Sequence, residues 1–81
     1  MTIAQCAKAF AAGRVATCHN AAVAVYSDGT VNYRLHGNLI AQRTPDGAVQ
    51  CWWCGWYGPT TANHLNKILA AIGAGFRVSY A

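Results

Sequence analysis

The register of one hairpin constrains this chain more than any other feature. Residues 20–27 and 30–36 are two runs of strand-forming side chains separated by Ser27-Asp28-Gly29. A two-residue Asp-Gly loop would set Tyr26 opposite Val31 and place Val23 and Val25 on a face with Asn32 and Arg34. A three-residue loop, closed by Gly29 in the left-handed region, sets Val25 opposite Val31 and Val23 opposite Tyr33. Only the second arrangement gathers Val23, Val25, Val31, Tyr33 and Leu35 on one side, leaving Ala22, Ala24, Tyr26, Asn32, Arg34 and His36 on the other. A slip of one residue would mix the faces, so the three-residue loop is predicted.

The rest of the chain builds around that hairpin. Thr2 can cap a first helix in which Ile3, Cys6, Ala7 and Phe10 recur at helical spacing, and Gly13 marks its end. Gly37-Asn38 turns the chain into a strand over 39–43. Pro45-Asp46-Gly47 signals a second three-residue turn, and a fourth strand follows over 48–54. Thr60 or Thr61 can cap a second helix with a stripe of Leu65, Ile68, Leu69 and Ile72, ended by Gly73 and Gly75. Phe76, Val78 and Tyr80 then alternate as a short closing strand. The expected fold is α+β: a small antiparallel sheet of four to five strands with two helices packed on one face, in the order α-β-β-β-β-α-β.

With 81 residues the chain reads as a single domain over 1–81, too short for a separate cofactor domain. Its 54% hydrophobic content and 10% charge exclude disorder. No run of about 20 apolar residues is present, so a membrane span is not expected. The amino terminus lacks the pattern of a secretory leader.

Six basic residues against two acids give a net charge of +4. The acids, Asp28 and Asp46, each precede a glycine in a turn, which leaves no carboxylate for general acid–base work. The bases Lys8, Arg14, Arg34, Arg43, Lys67 and Arg77 are dispersed rather than clustered. They suit a basic surface, or one that meets an anionic partner.

Four cysteines and three histidines are the remaining chemical candidates. Cys51-Trp52-Trp53-Cys54-Gly55 has the spacing of half a zinc site. Two more ligands would have to come from Cys6, Cys18, His19, His36 or His64, and no second C-x-x-C or H-x3-H occurs. An extended 48–54 would also throw Cys51 and Cys54 to opposite faces. A redox pair would need its first cysteine at a helix amino terminus, several residues from where the second helix starts. The cysteines therefore read as buried thiols in a reducing compartment, with a metal at Cys51 and Cys54 as the weaker alternative. His64 falls in the first turn of the second helix, where a neutral imidazole suits the dipole. No catalytic residue and no cofactor is expected.

The aromatic block Trp52-Trp53-Cys54-Gly55-Trp56-Tyr57 is dense for so short a chain. Trp53 is expected on the core face with Cys51, and Trp52 on the outer face, exposed. Exposed aromatics beside arginines make protein-interface anchors or base-stacking platforms.

Two blocks carry a resemblance: Tyr33-Arg34-Leu35-His36-Gly37-Asn38-Leu39-Ile40-Ala41, and Gly55-Trp56 followed by Thr60-Thr61-x-x-x-Leu65-Asn66-x-Ile68. The string, over roughly residues 31–69, is similar to that of small proteins encoded by tailed bacteriophages and prophages. The resemblance implies action in the host bacterial cytoplasm. The function expected from that setting is a non-enzymatic inhibitor of a bacterial defence system, of the anti-CRISPR kind, which binds a defence-complex subunit through Arg34, Arg43, Trp52, Trp56 and Lys67. The alternative is a small basic nucleic-acid-binding accessory protein, using the same arginines for phosphates and the tryptophans for stacking.

Overall fold

The structure, a computed structural model, describes residues 2–18, 20–53 and 58–75. Within them the chain forms α1 (Ile3–Ala12), β1 (Ala16–Cys18), β2 (Ala21–Val25), β3 (Val31–Leu35), β4 (Asn38–Arg43), β5 (Val49–Cys51) and α2 (Pro59–Ala71). The five strands are antiparallel and lie in sequence order, β1-β2-β3-β4-β5, so each neighbour is reached through a short turn.

Local chemistry explains the boundaries. Thr2 and Gln5 form a reciprocal capping box: the Thr2 side chain accepts from the Gln5 backbone N–H at 3.2 Å, and the Gln5 side chain accepts from the Thr2 N–H at 2.8 Å. Gly13, at φ 71°, closes α1 in the left-handed region, with its N–H returned to the helix carbonyls. The β2–β3 connection is the predicted three-residue loop. Tyr26 N–H donates to the Thr30 carbonyl at 2.8 Å, and Val25 pairs with Val31 and Val23 with Tyr33. Asp28 accepts from the Thr30 N–H at 2.9 Å, a local bond that fixes the turn. The β4–β5 loop repeats the pattern, with Thr44 N–H bonded to the Ala48 carbonyl at 2.8 Å.

One side of the sheet carries the core. Val23, Val31, Tyr33 and Leu35 pack with Cys6, Ala7 and Phe10 of α1 and with Leu65 and Ile68 of α2, all buried. A register shift after Tyr33 lets adjacent Ile40 and Ala41 both bury, which strict alternation would forbid. Both helices lie on this side, α1 against β1 to β3 and α2 against α1.

The structure differs from the expected order in three places. Residues 16–18, for which the sequence offered no reading, form the edge strand β1, so the described order is α-β-β-β-β-β-α. The fourth strand ends at Cys51 rather than running to Cys54. Helix α2 begins at Pro59, not after Thr60 or Thr61 as its cap, because proline's fixed φ and missing N–H suit the first helical position. Gly58 stands at the cap without a side-chain bond. The closing strand through Phe76, Val78 and Tyr80 lies outside the described residues.

Candidate functional site

The side of the sheet opposite the helices follows directly from the pairings. Thr17 is paired with Ala22, Ala22 with Arg34, and Arg34 with Leu39. Trp52 donates its backbone N–H to the Ile40 carbonyl at 2.8 Å, extending this row past the end of β5. Thr17, Ala22, Arg34 and Trp52 are exposed and Leu39 is half-buried. Trp52 is 39% exposed, whereas its neighbours Cys51 and Trp53 pack against the core, as the alternation predicts. The row therefore runs from small side chains on β1 and β2 to a cation, an aliphatic group and an indole.

A second row lies beside it. Ala24 pairs with Asn32, Asn32 with Gln42, and Gln42 with Gln50. The Gln42 Nε2 donates to the Asn32 Oδ1 at 2.9 Å, which satisfies the buried Asn32 and orders the amide beside it. Gln50 is exposed. Three amides thus cross the middle of this face.

Charge is distributed unevenly along the strands. The turns holding Asp28 and Asp46 are at the same end of the sheet, and a Cβ built on Gly29 would lie 3.6 Å from Pro45. Asp28 is held below the usual carboxylate range chiefly by the Thr30 N–H, and Asp46 chiefly by the Thr44 hydroxyl. Arg34 and Trp52 are toward the other end, by the His36-Gly37 turn. The Arg34 Nη1 donates to the Gly37 carbonyl at 3.3 Å, a bond that uses one of the guanidinium's five N–H donors. No described strand residue is acidic.

The residues expected to make contact are only partly brought together. Arg34 and Trp52 share the open face. Arg43 faces the other way: its Nη1 donates to the Ala11 carbonyl at 2.8 Å and ties β4 to the end of α1. Lys67 is exposed on α2, beside a cleft lined by Asn63, Asn66 and Ala70. Trp56 and Cys54 lie outside the described residues. Sequence reasoning missed Leu39 and the Asn32-Gln42-Gln50 row, although the hairpin registers contained the signal.

The thiols and imidazoles are placed by burial. Cys6 and Cys18 are buried and Cys51 half-buried, and burial pushes the Cys6 and Cys51 thiols up. Among the described residues no group of three His, Cys, Asp or Glu side chains could hold a metal ion. His36 occupies the β3–β4 turn at φ 51°. His64 is in the core, its Nδ1 2.6 Å from the Tyr33 hydroxyl. That pair went unread in the sequence, although His64 and Ile68 share a helix face and Tyr33 faces the core.

A family model described as "Kyanoviridae Gp96 protein" matches residues 2–80 of the chain. No curated protein and no solved structure matches it.

Proposed function

The chain belongs to this phage protein family, and on that premise we propose that it is a stoichiometric inhibitor of a bacterial defence system, of the anti-CRISPR kind, working in the host cytoplasm by covering a surface of the effector complex. The observation that carries the reading is the pairing of exposed Trp52 and Arg34 across half-buried Leu39 on a sheet face that no described helix covers. An indole and a guanidinium on a rigid strand scaffold are the side chains that most often anchor an interface. The described chemistry is occupied structurally: both carboxylates brace turns and His64 is bonded to Tyr33 in the core. Among the described residues, the exposed groups that remain are suited to binding. A net charge of +4 favours a target that is anionic where it meets the chain.

Expression in a bacterium with active CRISPR interference tests this. The expected result is restored transformation by a targeted plasmid and co-purification of a defence-complex subunit with the tagged chain. Both are lost in the Arg34→Glu, Trp52→Ala double variant. Unchanged interference, with no defence subunit recovered, overturns the reading.

A further inference from the structure

Among the described residues, the open face carries one cation, one exposed indole, an aliphatic side chain between them and a row of amides, with no carboxylate on any strand. Whatever covers it must bring an anion for Arg34, a flat apolar surface for Trp52 and hydrogen-bonding edges for Gln42 and Gln50. A second copy of this chain does not. Packed face to face with like ends together, two copies would bury two arginines without a counter-charge, which is costly.

A nucleotide brings all three within one unit. We propose that this sheet face binds single-stranded nucleic acid, with a base stacked on Trp52, a phosphate on Arg34 and base edges meeting the amides of Gln42 and Gln50. Trp52 and Arg34 are separated by the width of β4, about 10 Å at the ordinary strand spacing, which suits a strand laid across the sheet. Both carboxylates sit at the far end of the sheet, away from the phosphates. The strand must be single because stacking on Trp52 requires an unpaired base, and a broad sheet face cannot enter a duplex groove as a helix or a two-stranded ribbon does. The proposal rests on the preceding choice of this face as the binding surface, and it identifies the anion that the face meets.

Fluorescence anisotropy with unstructured thymine and uridine oligonucleotides of about 20 nucleotides tests it, the two arms separating DNA from RNA. Complexes are expected at micromolar protein in low salt, weakening as salt rises. Trp52→Ala should weaken binding by about tenfold, while Trp52→Phe retains most of it and guards against a folding defect. Arg34→Gln should weaken binding and reduce the salt dependence by about one phosphate contact. Lys8→Gln, exposed on the helical layer, should bind like the parent. No complex with either oligonucleotide in low salt, equal affinity for a duplex of the same length, or unaltered binding by both Trp52→Ala and Arg34→Gln would overturn the proposal. Recovery of a defence subunit without oligonucleotide binding overturns it while leaving the inhibitor reading intact.

Discussion

Tyr33 is where the layers of the molecule meet. Its side chain is 0% exposed, its ring stands edge-on to Phe10 of α1 at 6.0 Å, and its hydroxyl reaches His64 of α2. Removing that hydroxyl leaves the buried Nδ1 of His64 without its partner, so Tyr33→Phe should cost about 1–3 kcal/mol in urea denaturation despite conserving the ring. Burial of His64 also makes stability depend on pH. Burial, helped by the charge of His36, holds the His64 pKa below its ordinary value of 6.5. The unfolded chain therefore takes up the proton before the folded one does. This contribution is complete above the unfolded pKa and is lost as pH falls below 6.5 toward the lower folded value. Denaturation midpoints should drop as pH falls below about 6.5, and His64→Gln should flatten that drop. An equal drop in the variant would assign the acid sensitivity to other groups.

The two helices start by different devices, and substitution should tell them apart. Thr2 caps α1 through the side-chain box, so Thr2→Ala should cost about 1 kcal/mol. Helix α2 starts on Gly58-Pro59, and exposed Thr60 lies inside it, so Thr60→Ala should change stability by less than about 0.5 kcal/mol. Gly13 ends α1 at φ 71°, and a Cβ there would find Val31 Cγ2 no nearer than 3.9 Å. The cost of Gly13→Ala is then conformational rather than steric, about 1–2 kcal/mol. Chemical denaturation of the three variants checks all of these. A Thr60→Ala loss as large as that of Thr2→Ala would mean that threonine, not proline, sets the start of α2. The sequence favoured a threonine cap because Thr60-Thr61 precedes an apolar stripe, a signal that Pro59 overrides.

At the scale of the whole molecule, what could be read in advance was whatever repeats with a period. The hairpin from Ala21 to Leu35 was legible because a wrong register would have put Val23 and Arg34 on one face, burying the cation or exposing the valine. Strand β1 was not, because three residues with one exposed position carry too little alternation to separate from loop. The open face was half legible: alternation placed Trp52 and Arg34 on it, but Arg43 was lost to the end of α1, a contact 32 residues apart that no local pattern encodes. The same long-range closure predicts how the molecule fails. The sheet is a meander of near neighbours, whereas α1 and α2 come from distant parts of the chain and meet over Phe10, Cys6, Leu65 and Ile68. A chain of 81 residues has about 4–12 kcal/mol of stability in total. Phe10→Ala removes a fully buried ring for about 3–5 kcal/mol, a large part of that sum. The variant should lose its cooperative thermal transition in far-UV circular dichroism and tryptophan fluorescence at the same temperature, while Phe10→Leu keeps it. Fluorescence persisting after the helical signal is lost would mean that the sheet stands without its helices, and that the core is two units rather than one.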